Sequence, residues 1–450
     1  MSSSSIRLAR DEYHRALSEA ALDRTRTIVA TARADPGLTS AGHGIDRILR
    51  PCFISAAQHA AAQQSAVAVV AALESLYRAA RGSAELRRKL GVATWQDQLI
   101  GVEPADAPPA VGRLDGFLGR DDQLRMIEFN PAPGGTYEVH ALSRLFAATP
   151  AMDALSRYAP HWPDPLEAAY QMLLANYARA DRPTSVNVAV LGWSQAPNIG
   201  EIQRLAAHLT QRGMTIKPVQ ADDAWVLDSG GLSLDAFRVD LLLFLDPMQL
   251  GDFLSRFGPA HPVFRAVREG HSSFFGGLFR TLFLASKRVF AALSEPTFRA
   301  LIPPELHAEL HKCIPWTRIV QEGRTTHASG EVDLLEFAAK HRTQLVLKPA
   351  LASGGKGVVL GWRTSVDEWE QALVQSLADG GVVQERVDAP QDSFPLWEDG
   401  KLVFRELFWD LNPFVWRGRT AEGYLVRVGS DPLLNTSAGL GSSTALFVLG

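Results

Sequence analysis

The chain has 450 residues, too many for a single hydrophobic core, so two or three domains are expected. Its hydrophobic content of 46% and charged content of 21% are those of an ordinary globular protein and exclude a disordered chain. The net charge of −4 gives no indication of a general nucleic-acid-binding protein.

Cysteine content and hydropathy favour a soluble protein of a reducing compartment. Cys52 and Cys313 are far apart in the sequence and lack the spacing of a metal site. The N-terminus leads directly into a charged helical segment without an apolar leader, and no apolar run is long enough to cross a bilayer. We therefore expect a cytoplasmic protein that binds neither nucleic acid nor membranes.

Residues 1–110 are predicted to form a helical N-terminal region. Segments rich in Ala, Leu and Arg, at Asp11–Arg33 and Ala57–Arg81, have the apolar spacing of helices. Between them, Ile45–Ile54 is apolar and contains a proline, which indicates a short buried strand or an extended piece.

The next stretch, Arg113–Gly135, carries the first candidate functional residues. Two runs of alternating apolar residues flank a polar tip, which predicts a β-hairpin. Side chains two residues apart on a strand share a face, so Arg113 would lie beside Asp115, and Glu128 beside Asn130. Their carboxylate and carboxamide oxygens suit Mg²⁺, which usually completes its shell with substrate phosphates. A solvated amphipathic hairpin that binds no ligand is the alternative.

Residues 111–184 are assigned to this hairpin and the helices after it, and residues 185–300 to a small parallel α/β substrate domain. In the latter, a buried strand at Val186–Trp193 is followed by a helix and further strands. The loop after this strand lies where α/β folds usually bind ligands, so Asn198 and Glu201 are candidate substrate contacts. Asn198 would serve equally well as a helix cap.

The apolar segment Phe274–Phe290 is predicted to be a helix-like linker to the third unit, residues 301–450. In that unit we predict an amphipathic helix and then successive strands with turns between them. One strand ends at Lys348 and runs into the glycine-rich loop Ala350–Gly357. Such loops bring backbone N–H groups close to phosphate oxygens, and a lysine adds positive charge. A plain hairpin with a glycine-rich turn is the alternative.

Together these stretches resemble the ATP-grasp superfamily. The Arg-x-Asp pair of the hairpin, with Glu-x-Asn thirteen residues further on, resembles the metal-binding signature of the D-alanine–D-alanine ligases. The resemblance implies an α/β protein of the ATP-grasp fold that binds ATP and Mg²⁺. It also implies that Asp115, Glu128 and Asn130 are metal ligands. Arg113 would be a catalytic residue that binds substrate and stabilises the phosphoryl and tetrahedral intermediates.

The same resemblance implies a nucleotide site in residues 301–450. Lys348 would be a second catalytic residue that contacts the phosphates, and Lys287 would touch the α-phosphate. Glu385 would lie near the ribose. The other residues implied to bind ATP form a phosphate lid and an adenine hinge: Ser353, Gly354, Gly355, Lys356 and Gly357 in the lid, and Gln384, Glu385, Arg386 and Val387 in the hinge.

The order of these parts resembles circularly permuted ATP-grasp proteins such as glutathione synthetase, because Glu-x-Asn precedes the nucleotide lobe. Arg427 matches an arginine that binds a substrate carboxylate there, and Asn435 and Ser437 lie in a matching substrate-covering loop. Two departures stand out. Ala350–Ser353 lacks an acidic residue that many permuted relatives have, and Gly429 replaces a substrate-binding lysine. Glutathione is therefore not the expected product.

The resemblance implies an ATP-dependent ligase that joins a small-molecule carboxylate to an amine through an acylphosphate and releases ADP and phosphate. Two alternatives stay open. The chain would be an ATP-binding pseudoenzyme if loss of the loop acid abolished turnover, or a phosphotransferase if the same site phosphorylated a substrate without forming an amide. A homodimer is compatible with the sequence.

Overall fold

The computed structural model describes residues 3–39, 47–102, 104, 110–131, 134–192, 199–245, 249–352, 354–416, 418, 420–434 and 441–450. Helices and strands are mixed along the chain, which confirms the predicted α/β class. None of the helices within these ranges has the length and hydrophobicity needed to cross a lipid bilayer. Cys52 and Cys313 are both buried free thiols.

The N-terminal region is helical, as predicted, and its longest helix begins with a complete cap. The Ser55 hydroxyl accepts a hydrogen bond from the Gln58 N–H, while the Gln58 side chain accepts one from the Ser55 N–H. The predicted extended piece contains a short strand. The elements are α1 Ser3–Ala16, α2 Leu22–Ala30, α3 Pro36–Thr39, β1 Cys52–Ser55, α4 Ala56–Gly82, α5 Ala84–Lys89 and α6 Asp97–Ile100.

The predicted hairpin is present and is followed by helices. Its strands run antiparallel, with Arg113 opposite Asn130 and Asp115 opposite Glu128. A β-bulge between Asp115 and Gly116 shifts the register beyond that point. The elements are β2 Gly112–Leu118, β3 Leu124–Pro131, α7 Thr136–Ala147, α8 Pro150–Asp153 and α9 Pro165–Tyr177.

The next segment forms the predicted parallel sheet. Its strand order is β10-β9-β4-β5, and its central strand β4 is buried along most of its length because helices cover it. A small antiparallel sheet, β6-β7-β8, was not predicted. The elements are β4 Asn187–Leu191, α10 Ile199–Gln211, β5 Thr215–Val219, β6 Trp225–Asp228, β7 Gly231–Leu234, β8 Phe237–Arg238, β9 Leu241–Phe244, α11 Gln249–Phe257, α12 Pro262–Arg268 and β10 Ser273–Phe274.

The prediction of one helix-like linker over Phe274–Phe290 is wrong. Phe274 ends a strand of the parallel sheet, and Gly276 and Gly277 then adopt φ values of 71° and 78°, which break the chain direction. Two short helices follow, α13 Leu278–Leu284 and α14 Lys287–Ala291. Every residue of α13 is buried, so the apolar run reflects burial on all sides and not one continuous helix.

Residues 301–390, which include the predicted nucleotide site, contain the predicted strands and a helix that the prediction missed. Its antiparallel sheet has the order β11-β16-β14-β15. The missed helix begins with a capping box, in which Ser365 and Glu368 satisfy each other's backbone N–H groups, and ends at Gly380. The elements are α15 His307–Cys313, β11 Thr317–Ile319, β12 Arg324–His327, β13 Gly330–Asp333, α16 Leu334–Lys340, β14 Leu345–Lys348, β15 Val359–Leu360, α17 Val366–Asp379 and β16 Val382–Glu385.

The C-terminal strands form one sheet with the early hairpin. Its order is β17-β18-β20-β19-β2-β3, with β21 paired to β20. β22 pairs in parallel with β1, which ties the N-terminal region to the end of the chain. The hairpin therefore completes a sheet whose other strands come after residue 390. These strands are β17 Gln391–Glu398, β18 Lys401–Trp409, β19 Asn412–Trp416, β20 Thr420–Gly429, β21 Ser442–Thr444 and β22 Leu446–Leu449.

Candidate active site

The hairpin presents its four predicted site residues on one face. Arg113 pairs with Asn130 and Asp115 with Glu128 across the strands, so all four side chains lie on the same side of the sheet. The Asn130 amide nitrogen lies 3.4 Å from Glu128 Oε1. The hairpin thus gathers one guanidinium, two carboxylates and one carboxamide, as the sequence predicts.

The β-bulge after Asp115 is held by buried groups. The Gly116 N–H donates to Asn412 Oδ1 at 3.0 Å, and Asn412 Nδ2 donates to the Leu425 carbonyl at 2.9 Å. A Cβ atom at Gly116 would lie 2.6 Å from the Arg125 carbonyl oxygen, so only glycine fits. Because Asn412 is fully buried, these contacts fix the orientation of Asp115.

Asp115 accepts hydrogen bonds from two arginines. Arg113 donates to its two oxygens at 2.7 and 3.2 Å, and Arg427 Nη2 donates to Oδ2 at 2.9 Å. Only 2% of Asp115 is exposed. Burial disfavours its charged form, but the two arginines outweigh that effect and lower the pKa of Asp115 to about 2. Asp115 therefore anchors two guanidinium groups.

Asp410, which the sequence reading missed, extends this network. The Arg427 side chain donates to Asp410 Oδ2 at 2.6 Å, and the Arg427 N–H donates to Oδ1 at 2.7 Å. Burial raises the pKa of Asp410 to about 6 despite Arg427. Burial disfavours the charge on Arg427, but Asp410 and Asp115 outweigh it, so the pKa of Arg427 is raised. Asp410 lies between β18 and β19, where only the folded sheet brings it to the hairpin.

Two predicted lysines reach the other end of the hairpin face. Lys287, the first residue of α14, lies with Nζ 3.3 Å from Glu128 Oε2 and donates to the Ala352 carbonyl at 2.8 Å. Burial and the charge of Asp115 disfavour the charge on Glu128, but Lys287, Lys348 and Arg427 together outweigh them, so the pKa of Glu128 is lowered. Lys348, at the end of β14, donates to Gln384 Oε1 at 2.7 Å and to the Ile127 carbonyl at 3.2 Å. Burial lowers the pKa of Lys348 to about 8.

The glycine-rich loop has the conformation that its glycines permit. Gly354, Gly355 and Gly357 have φ values of 64°, 71° and 71°, which residues with a Cβ rarely adopt. A Cβ atom at Gly357 would also lie 2.7 Å from Pro349 Cγ. Lys356 is exposed. The loop can therefore turn its backbone N–H groups toward a phosphate in a way that other residues would not allow.

The predicted hinge leaves β16 next to the lysines. The Gln384 side chain is buried between Lys348 and the Thr317 hydroxyl, to which its Nε2 donates at 3.0 Å. Gln384 therefore positions Lys348. Glu385, Arg386 and Val387 follow and line one wall of a surface groove of about 750 Å³.

Two further carboxyl groups lie near the start of α7, Glu201 of α10 and Glu138 of α7 itself. Glu201 Oε1 accepts a hydrogen bond from the Gly135 N–H at 2.6 Å, and the Gly134 carbonyl accepts one from Arg113 Nη1 at 3.1 Å. Glu138, in the first turn of α7, was not predicted as a site residue. Burial and the charge of Glu201 raise the pKa of Glu138 to about 7. A hydrogen bond with Ser443 and the nearby arginines lower this pKa, but by less.

Some predicted residues lie outside the part of the chain that the structure describes. They are Ser353 of the lid, Asn198 of the α/β loop, and Asn435 and Ser437 of the substrate-covering loop. Among the missed residues, Glu138 had a weak sequence signal, because an acidic residue three positions after the glycine pair is favoured at a helix start. Asp410 and Asn412 had none, because their roles depend on strand pairing distant in sequence.

The hairpin fits Mg²⁺ in part. Glu128 and Asn130 are neighbours, with the Asn130 amide nitrogen toward Glu128 Oε1. A carboxylate and a carboxamide supply the oxygen ligands that suit a Mg²⁺ site completed by phosphates and water. The oxygens of Asp115 already bind two guanidinium groups, so its predicted role as a ligand is not supported by its contacts. Within the described residues, no three His, Cys, Asp or Glu side chains form a cluster that could hold a metal ion.

Comparisons with known proteins give a likeness in structure. Neither a protein-family model nor a curated protein matches the chain. A glutathione synthetase-like effector from Globodera pallida is similar over 95% of this chain and 96% of its own, with a TM-score of 0.60 at 13% identity. A putative γ-glutamylcysteine synthetase from Methylobacillus flagellatus has a TM-score of 0.39, at 13% identity, over 84% of this chain and 88% of its own. For D-alanyl-alanine synthetase A of Vibrio cholerae the TM-score is 0.25, at 13% identity, over 50% and 68%.

The first of these likenesses covers nearly the whole of both chains and therefore describes the whole fold. Together with the strand order of the sheets, it confirms that the chain has an ATP-grasp fold. Along the chain the hairpin precedes the parallel sheet and the residues predicted to bind the nucleotide. The remaining two likenesses are too weak to add to this.

Replacing Asp115 by alanine is expected to destabilise the protein strongly. The change leaves Arg113 and Arg427 without their shared carboxylate, and breaking a buried ion pair costs about 3–5 kcal/mol of unfolding free energy. Urea unfolding measures this cost. Asp121→Ala in the same hairpin removes an exposed pair with Arg125 and should cost at most about 1 kcal/mol. Equal costs for the two variants would contradict the anchoring role.

Glu138→Gln is expected to increase stability at high pH only. The pKa of this carboxyl group rises on folding from an ordinary value of 4.5 to about 7. Its protonated form therefore supports the fold at low pH, and this support is lost as the pH rises from about 4.5 through 7. At pH 8 the variant should be more stable by up to about 3 kcal/mol, with little difference below pH 4.5.

Urea unfolding at pH 8 and below pH 4.5 measures the effect of Glu138. Asp410 also has a raised pKa, but it is present in both the variant and the wild type, so its contribution cancels in their difference. Asp153→Asn, which changes an exposed carboxylate of α8, is the matched control and should show no such dependence. A Glu138→Gln variant that differs from the wild type equally at both pH values would contradict the raised pKa.

Proposed function

We propose that this protein is an ATP-dependent ligase that joins a small-molecule carboxylate to an amine. The observation that carries the proposal is the convergence of Arg113, Arg427, Lys287 and Lys348 on the two ends of one hairpin face. Cations that meet at one face and can exchange their carboxylate partners suit a ligand with several negative charges, such as a polyphosphate beside a carboxylate.

The nucleotide is proposed to lie between the lysines and the glycine-rich loop. Lys287 and Lys348 would bind phosphate oxygens, with backbone N–H groups and Lys356 closing over them. The adenine would contact the backbone of the hinge after Gln384, and Glu385 would contact the ribose. The low pKa that burial gives Lys348, about 8, supports this, because a polyphosphate would restore its full positive charge.

Glu128 and Asn130 are proposed to hold the Mg²⁺ that such a nucleotide brings. The ion would neutralise charge on the phosphates during transfer. Glu128 now pairs with Lys287, so the two residues would both contact the metal–phosphate unit. Asp115 is proposed to act through the arginines, which it holds ionised and in position.

The proposed reaction has two steps. A carboxylate oxygen of the first substrate attacks the γ-phosphorus, and ADP leaves, which gives an acylphosphate. The amine nitrogen then attacks the carbonyl carbon, phosphate leaves, and the nitrogen loses a proton to give the amide. Arg113 is proposed to bind the developing oxyanion, and Arg427 the carboxylate substrate. The glycine-rich loop would exclude water, because an acylphosphate exposed to water is hydrolysed.

One assay tests the proposal against its rivals. The protein is incubated with Mg-ATP and pooled carboxylic acids, amino acids and amines, and ADP, phosphate and new product masses are followed. Amide formation coupled to ADP release is the expected result. Nucleotide binding without turnover in any pool would favour a pseudoenzyme, and a phosphorylated product without an amide would favour a phosphotransferase. Either result would overturn the ligase.

Glu128→Gln is expected to abolish turnover without loss of the fold. It removes the charge that pairs with Lys287 and that would bind Mg²⁺, so the rate should fall at least about 100-fold. ADP release measures the rate, and circular dichroism checks the fold. Glu370→Gln, an exposed change on α17, is the control and should keep the wild-type rate. A near-normal rate for Glu128→Gln would refute the assigned metal ligand.

Lys348→Ala is expected to weaken ATP binding. Loss of one charge-assisted contact costs about 2 kcal/mol, which is about 30-fold in Kd. Titration with a fluorescent ATP analogue measures it. Lys340→Ala, an exposed lysine at the end of α16 in the same lobe, is the matched control. Unchanged binding by Lys348→Ala would mean that the nucleotide binds elsewhere.

A further inference from the structure

An apolar cavity of about 170 Å³ lies beside the candidate active site. It is enclosed by α9, α10 and one face of the parallel sheet, and Phe275 and Trp416 also line it. Its other apolar walls come from residues such as Met172, Val190 and Leu205. An engineered apolar cavity of about 150 Å³ holds a benzene molecule, so this one has room for a side chain of about six carbon atoms.

The cavity has one polar end, which points to a ligand. Gly134, Thr136 and Glu201 line it there. The Gly134 carbonyl accepts a hydrogen bond from Arg113 at 3.1 Å, and the Gly135 N–H donates to Glu201 at 2.6 Å. Gly134 therefore lines the cavity and also contacts Arg113, a residue of the candidate active site. A void that formed only from imperfect packing would have no reason to open there.

This end carries a buried carboxylate. Glu201 lines the cavity there and is 7% exposed, and its charge contributes, after burial, to the raised pKa of Glu138 in the first turn of α7. A cation bound beside Glu201 would favour the charged form of both carboxyl groups. Together, an apolar chamber and an acidic entrance fit an ammonium group that carries an apolar side chain.

We infer that this cavity is the amine-substrate subsite, and that the amine is a primary amine or amino acid with an apolar side chain of about four to seven carbon atoms. Its side chain fills the cavity, and its ammonium group binds Glu201. Glu201 then accepts a proton from the ammonium group, and the neutral amine nitrogen attacks the carbonyl carbon as the proposed function requires. The inference rests on the proposed function and adds the class of the amine substrate.

The test measures binding by calorimetry in the presence of Mg²⁺ and a non-hydrolysable ATP analogue. The probes are L-leucine, L-phenylalanine and phenethylamine, compared with glycine, L-glutamate and 3-phenylpropionate. Leucine or phenylalanine should bind at least about 10-fold more tightly than glycine or glutamate. Phenethylamine should bind at least about 10-fold more tightly than 3-phenylpropionate, which has no ammonium group. The ATP analogue is titrated separately.

Two neighbouring alanines of α10 give matched variants. Ala206 lines the cavity, whereas Ala207 is exposed on the same helix. Ala206→Leu should reduce binding of the apolar amine at least about 10-fold, and Ala207→Leu should not change it. Both variants should bind the ATP analogue normally, which shows that they are folded. If Ala206→Leu does not fold, Glu201→Gln replaces it and should weaken phenethylamine binding without affecting the ATP analogue.

The outcomes separate this inference from the proposed function. Normal nucleotide binding with no preference for apolar amines, or with equal effects of Ala206→Leu and Ala207→Leu, would overturn the inference and leave the ligase standing. Failure to bind the ATP analogue would overturn the proposed function, whatever the amines do. Binding of apolar amines that Ala206→Leu abolishes would support the subsite.

Discussion

The buried network of Asp115, Arg113, Arg427 and Asp410 is the constraint on which the rest of the site depends. It links the hairpin to β20 and to the turn between β18 and β19 through charge-assisted hydrogen bonds. Two positive charges in a buried place are tolerated only because two carboxylates partner them. The network therefore presents cations at a fixed position without leaving them uncompensated before a ligand arrives.

The hairpin face divides its carboxylates between two tasks. Asp115 forms ion pairs with Arg113 and Arg427, whereas Glu128 forms an ion pair with Lys287. The first contact is held by the bulge and by Asn412, and it has little room to change. The second places a lysine of α14 against the hairpin, and under the proposed function a phosphate would compete with Glu128 for that lysine. The carboxylate on β2 is thus held rigidly, whereas under the proposed function the one on β3 can change its partner.

How much the sequence could predict depended on the range of each interaction. The hairpin was readable because alternation along two adjacent strands places Arg113, Asp115, Glu128 and Asn130 on one face by local geometry alone. Lys287 could be assigned only through the resemblance. Asp410 escaped detection because it reaches Arg427 and the hairpin only after strands far apart in sequence have paired. The helix α17 was missed although Ser365 and Glu368 carried a capping signal, because the strands around it dominated the pattern.

The sheet order has a consequence for how the protein is made. The hairpin β2–β3 leaves the ribosome early, but its neighbour β19 follows only after the α/β sheet and the nucleotide lobe. Until then, the free edge of β2 exposes unpaired backbone groups to other chains. Contacts of such long sequence separation form slowly. Assembly of the large sheet, and with it the arginine network, must therefore wait until the C-terminal strands have been made.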